Sequence, residues 1–212
     1  MTKKKNGKRE LILDTACMLF RNKGFQGTKI IDISEAAGIG KGTVYEYFDS
    51  KEAIIYELFK TRAADPYRDL PRLIEKEKTC EDKIKAYAEF ELDHTGGSGS
   101  GKHSLMGVFI KTDLLQHPVL ADEIRELTDY KFSLLRGVVE EGMKEGEFLP
   151  ASPVLTAAFI METVNFFAGL NLDLLPPACS IDMEQREFRN KEEFYRFLLG
   201  GIKNKKNFQI SY

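Results

Sequence analysis

Residues 28–52, TKIIDISEAAGIGKGTVYEYFDSKE, decide how this chain folds. They read as two short helices joined by a tight turn, with a third helix starting directly after. Thr28 is placed to cap the first helix, its hydroxyl accepting an otherwise unpaired backbone N–H. Ile30, Ile33 and Ala37 recur at i, i+3 and i+7, an inward stripe on a helix too short to stand alone. Gly38 falls where the chain must turn sharply, a position that often needs positive φ, and Ile39 plugs the corner. Gly40 opens the second helix, and Val44 and Phe48, four apart, face the same core as Ile33 and Ala37.

Lys41, Gly42, Thr43, Tyr45, Glu46 and Tyr47 are left at the start and outer face of the second helix. Small residues at 40 and 42 let the backbone approach a surface closely, and free N–H groups at a helix start favour an anion. Ser50 is placed to cap the next helix, and Lys51 in its first turn is a second place to hold a phosphate. A helix-turn-helix sets its recognition helix into the major groove in this way.

The run from Asp32 to Glu52 closely resembles the N-terminal signature of TetR/AcrR-family transcriptional regulators. The resemblance rests on the Ala37-Gly38 turn, on Lys41-Gly42-Thr43 leading to an aromatic, and on Tyr47-Phe48 followed by Ser50-Lys51-Glu52. Gly40 departs from the pattern, since the family often has serine there. That change weakens the helix cap by about a few tenths of a kcal/mol.

The resemblance implies an all-α protein of about nine helices in two parts. Residues 1–52 would form a helix-turn-helix DNA-binding domain, and residues 53–212 a helical effector-binding and dimerisation domain. It assigns Lys41, Gly42, Thr43, Tyr45 and Tyr47 to DNA contact, with Thr28 and Lys51 on phosphates. The function it implies is a ligand-responsive repressor, a homodimer released from a palindromic double-stranded DNA operator by a small-molecule effector. A helical interaction module without DNA binding, or a helical enzyme, are the alternatives in other classes. No catalytic set, cofactor-binding motif or metal-ligand set supports the enzyme.

At 212 residues the chain can bury a substantial core. No apolar run reaches the ~18 residues that span a bilayer, and the basic N-terminus lacks the apolar segment of a secretory signal. The cysteines Cys17, Cys80 and Cys179 are odd in number and far apart, so no disulfide framework follows, and the cytoplasm is the expected compartment. The net charge of −2 hides an asymmetry. Residues 1–62 carry 12 Lys+Arg against 8 Asp+Glu, while the remainder carry 19 against 25. A basic reading head on an acidic body has this distribution, although the solvated run from Lys3 to Arg9 supplies part of it.

The periodicity predicts a first helix over 8–23, with Ile12, Ala16, Leu19 and Phe20 inward and a glycine stop at Gly24-Phe25. A fourth helix begins at Lys51 and carries Ile54, Ile55, Leu58 and Phe59, with Pro66 and Pro71 predicting a break or kink soon after. Further helices are expected over 79–93, 104–116, 119–142, 154–172 and 191–202. No alternating strand pattern appears.

Several patterns resemble sites and lack a required part. Residues 96–103, GGSGSGKH, nearly spell a phosphate-cradling loop, but His103 replaces the hydroxyl residue and no strand precedes it, so a flexible loop is expected. Glu91 and His94 form a single Glu-x-x-His pair, whereas di-iron bundles need two. The segment from Val154 to Leu172 is apolar on nearly every side, as a central core helix of a monomer would be, or a helix that joins the Phe194, Phe197, Leu198 stripe of the last helix in a four-helix contact with a second copy of the chain. Phe90, Met106, Phe109, Ile110, Met143, Met161 and Phe166 supply aromatic and thioether surface to the body. In the resembled family this region encloses a ligand cavity, although such residues also fill ordinary cores. Glu162, alone among apolar neighbours, would orient a polar or cationic ligand or pair across a dimer.

Overall fold

A computed structural model of the chain describes residues 2–95, 117–168 and 191–204. Among the described residues the structure is helical, with no strand beyond an isolated bridge between Phe148 and Lys203. The helices are α1 (Thr2–Lys23), α2 (Ile30–Ala36), α3 (Lys41–Tyr45), α4 (Lys51–Leu58), α5 (Leu70–Ile74), α6 (Cys80–Thr95), α7 (Ala121–Glu145), α8 (Pro153–Ala168) and α9 (Lys191–Gly200). The segments predicted over 79–93, 119–142, 154–172 and 191–202 are therefore present, with ends shifted by a few residues wherever they are described. The helix expected over 104–116 and the loop at 96–103 lie outside the described residues. Packing divides the chain into two units, residues 1–66 with 103–127 and residues 67–102 with 128–212.

The first unit is built around the stretch that opened the sequence. α1 buries Ile12, Leu13, Ala16, Leu19 and Phe20, and Gly24 ends it with φ +73°. Phe25 folds back so that its ring lies 5.2 Å from that of Phe20, the apolar clasp that accompanies a glycine stop. α2 ends in the two-bond cap expected of a left-handed glycine. Gly38, at φ +65°, donates to the Glu35 carbonyl, and Ile39 donates to that of Ser34. Val44 and Phe48 then enter the same core as Ile33, with Ile39 and Tyr47 partly buried against it.

The N-terminus of α2 is capped differently from the sequence expectation. Thr28 is fully buried, and its hydroxyl donates to the Gly24 carbonyl at 2.8 Å instead of accepting from α2. Lys29 is the N-cap residue, and the Asp32 carboxylate reaches back to accept from its backbone N–H at 2.9 Å. Ser50 does cap α4, accepting from Ala53 N at 3.1 Å.

Ile54, Ile55, Leu58 and Phe59 are all buried, as their stripe predicted. The chain does not break after α4 but changes gauge, through a π-helical stretch at Phe59–Ala64 and a 3₁₀ stretch at Asp65–Asp69. Pro66 lies in the second and Pro71 in the first turn of α5, where a missing N–H costs nothing. The core of this unit is completed from far along the chain. Leu120 is buried in it, Ile124 and Leu127 pack against it, and the Tyr56 hydroxyl donates to Glu123.

The second unit buries Tyr67, Leu70 and Ile74, one face of α6, and Leu135, Val138 and Val139 of α7. Ala157, Ile160, Met161 and Val164 of α8, with Phe194, Tyr195, Leu198 and Leu199 of α9, are buried as well. The turn after α7 uses Gly146 at φ +79°, and Leu149 donates to the Ile202 carbonyl at 2.8 Å. Glu147 in that turn accepts from Cys80 N and Glu81 N, holding the start of α6 by its free amides.

Candidate nucleic-acid interface

The helix-turn-helix exposes one side of α3 and buries the other. Val44 and Phe48 are held in the core, which fixes the rotation of the helix. Lys41, Gly42, Tyr45 and Glu46 are consequently exposed, and Thr43 and Tyr47 are half-buried. Tyr45 leaves 46% of its surface to solvent, a large value for an aromatic with an apolar core one residue away. The Lys41 ammonium lies 5.7 Å from the Tyr45 ring centroid, so cation and aromatic are presented together.

Gly42 has no internal reason to be glycine. A Cβ added there meets nothing within 4 Å, and its φ is not in the left-handed range. Alanine would favour the helix by ~1 kcal/mol. The open space above this residue is what a close-approaching surface would need.

Two residues assigned to phosphates have structural roles. Thr28 turns its hydroxyl inward, so that side chain is withdrawn from any phosphate. Lys51 donates to the Phe25 carbonyl at 2.6 Å and the Thr28 carbonyl at 3.0 Å, over the Phe25 ring. Two of its three N–H groups are used in this way, which leaves one. Arg9 pairs with Glu57 at 2.8 Å and lies over the Phe48 ring, which ties the start of α1 to the head.

The residues named for the body scatter. Met161 is buried, Met143 is half-buried, and Phe90 is half-buried and stacked on His94 with centroids 3.8 Å apart. Met106, Phe109 and Ile110 lie outside the described residues. Glu162 and Phe166 are exposed among the described residues. They share an outward stripe of α8 with Leu155 (71% exposed) and Phe159, and line a groove there with Phe197 of α9 (72% exposed). Phe194 and Leu198 of α9 face inward.

The sequence reading missed a buried polar group in the second unit. Glu91 is fully buried; its carboxylate pairs with the Lys131 ammonium at 2.8 Å and accepts from the Tyr67 hydroxyl at 2.9 Å. The signal was present: Glu91 falls on the inward stripe of α6 with Ile84, Tyr87 and Ala88, where a carboxylate needs a partner. His94 instead sits at the end of α6, its Nδ1 2.8 Å from the Phe90 carbonyl. The ligating atoms of Cys80, Glu141 and Glu145 lie within 4.8 Å of one another, but both Glu141 oxygens are engaged by Lys83. Burial and the nearby Glu147 and Glu141 carboxylates push the Cys80 thiol up to about 12, which disfavours the thiolate a metal would take.

Residues 12–58 match the family described as bacterial regulatory proteins, tetR family. The HTH-type transcriptional repressor KstR2 of Rhodococcus jostii is 28% identical over 150 residues, covering 69% of this chain and 71% of the relative. The fatty acid metabolism regulator protein of Bacillus subtilis is 26% identical over 146 residues, 68% of this chain and 73% of the relative. Among solved structures, the transcriptional regulator FadR from Bacillus subtilis in complex with stearoyl-CoA superposes with a TM-score of 0.71 at 20% identity. That match covers 91% of this chain and 98% of that one. At that identity the match shows a shared fold.

Proposed function

We propose that this chain, which belongs to the TetR family of bacterial regulatory proteins, represses transcription and leaves its DNA when a small molecule occupies the helical body. The observation that carries the reading is the rotation of α3. Burial of Val44 and Phe48 turns Lys41, Gly42, Thr43, Tyr45 and Tyr47 toward the outer face and rim. Lys41 donates to guanine acceptors, Tyr45 packs on the groove wall, and the open backbone at Gly42 lets α3 seat deeply. Lys51 offers its remaining N–H to a phosphate.

Residues 1–52 act as the reading head and residues 53–212 as the effector-binding and dimerisation part. The exposed stripe of Leu155, Phe159 and Phe166, with Phe197, is covered by the same stripe of a second copy. Two heads on a two-fold axis read a palindromic operator, with half-sites about one helical turn or slightly more apart. Regulators of fatty acid metabolism among the similar proteins support an acyl-bearing effector. No described helix is long and apolar enough to cross a membrane, and the proposed site of action is the cytoplasm.

The test is a gel-shift of purified protein against DNA flanking its own gene, over a range of salt, with dimer mass measured by sedimentation. Sequence-specific retention by a dimer that weakens steeply with salt is expected. A monomer indifferent to every duplex at low ionic strength would refute the reading.

A further inference from the structure

The exposed side of α3 carries one charge of the wrong sign for a polyanion. Glu46 is exposed, and among the described residues its carboxylate takes no hydrogen bond and no ion pair. Three cations of the head have other partners. Arg9 pairs with Glu57, Lys51 holds the Phe25 and Thr28 carbonyls, and Lys41 lies over the Tyr45 ring. Glu46 closes α3 in helical geometry (φ −65°, ψ −21°), and its backbone N–H donates to the Gly42 carbonyl at 3.0 Å. It therefore stands one turn beyond Gly42 on the same side of the helix. Helical side chains lean toward the N-terminus, which carries a residue at 46 back over the turn at 42. The space there is open, since a Cβ added at Gly42 meets nothing within 4 Å. Whatever surface Gly42 admits is the surface that the Glu46 carboxylate faces.

A carboxylate brought against a duplex is repelled by the phosphates, and stripping its water costs more unless a donor receives it. The major groove offers few such donors. Guanine shows only the N7 and O6 acceptors, and thymine an acceptor and a methyl group. Adenine sets its N7 acceptor beside its amino group. Cytosine alone shows an amino donor with no acceptor of its own.

We propose that Glu46 is a specificity-determining residue of the reading helix. It accepts from the N4 amino group of one cytosine in each operator half-site, and its charge disfavours every duplex that lacks that base there. The proposal rests on the reading above that α3 enters the major groove, and it names one base of the site. Glu46 thereby weakens general attraction to DNA and sharpens the choice of sequence, the converse of a phosphate-binding lysine.

The test uses full-length wild type, Glu46→Ala and Glu46→Gln. Each is taken through selection from a random double-stranded DNA library, and its affinity is measured for an alternating dA-dT duplex, which holds no cytosine. The wild type is expected to select a cytosine in each half-site at a position where Glu46→Ala discriminates about tenfold less. Glu46→Gln should prefer adenine at that position, because an amide both donates to N7 and accepts from the N6 amino group. Glu46→Ala should bind the dA-dT duplex on the order of threefold more tightly than wild type, having lost a repulsive charge.

An unchanged base preference in both variants would overturn the proposal, and so would a wild-type preference at that position for a base other than cytosine. Glu46→Ala binding the dA-dT duplex no more tightly than wild type would overturn it as well. Each of these results leaves the repressor reading standing, since the wild type still selects a sequence. A wild type that enriches no sequence and ignores the dA-dT duplex at low salt would end both.

Discussion

The ammonium of Lys51 lies 2.6 Å from the carbonyl oxygen of Phe25, joining the first turn of α4 to the loop that follows α1. With the second bond to the Thr28 carbonyl, one cation closes two loop carbonyls that no helix satisfies. The residue assigned to a phosphate from sequence is therefore also a tie within the head, and the two roles are separable by experiment.

Lys51→Ala should lower the head's stability by about 1–3 kcal/mol, since two carbonyls lose a charged donor. It should also flatten the dependence of log affinity on log salt by about one unit. Chemical denaturation measures the first effect and a salt titration of DNA binding the second. Lost stability with an unchanged slope would confine Lys51 to the structural role.

Gly42→Ala should separate stability from DNA binding. The added Cβ meets nothing in the free protein, so the melting temperature should hold or rise. Affinity for operator DNA should fall by about tenfold, because the methyl group stands between α3 and the duplex. Undiminished affinity would remove Gly42 from the interface.

Gly142→Ala should do the opposite and damage the fold alone. A Cβ there would lie 2.3 Å from Cδ2 of the Phe148 ring and 3.0 Å from Cβ of Cys80, all buried. Overpacking of this kind costs about 1–3 kcal/mol. A urea titration should show an earlier midpoint with an unchanged slope.

Leu155→Asp should yield a folded monomer. The side chain is 71% exposed in the isolated chain, so helical circular dichroism should be unaffected, while the apolar stripe of α8 acquires a charge. Sedimentation should report half the wild-type mass, with operator affinity reduced accordingly. A dimer of unchanged mass would place the contact elsewhere.

The Cys80 thiol should resist alkylation at pH 8. Burial, reinforced by Glu147 and Glu141, pushes it up to about 12, which leaves on the order of one molecule in ten thousand as thiolate. Iodoacetamide followed by mass spectrometry should label Cys80 at an appreciable rate only after unfolding. Reaction at pH 11 should be faster than at pH 8, because ionisation rises toward the thiol's own range.

The sequence alone determined what depends on neighbours in the chain. The glycine stops at 24 and 38, the Ser50 cap and the inward stripes of α1, α4 and α6 each follow from period, φ and a nearby hydroxyl. The face of α3 turned outward was legible for the same reason, because burying Val44 and Phe48 leaves its rotation no freedom. Tertiary structure decided whatever pairs residues far apart in sequence. Thr28 was withdrawn inward because the Gly24 carbonyl was the nearer partner, and Lys51 found Phe25 across 26 positions. Glu91 was readable as a misplaced charge, but only folding could bring Lys131 and Tyr67 to it. Local geometry is written in spacing; the partner of a buried polar atom is fixed only when distant helices pack.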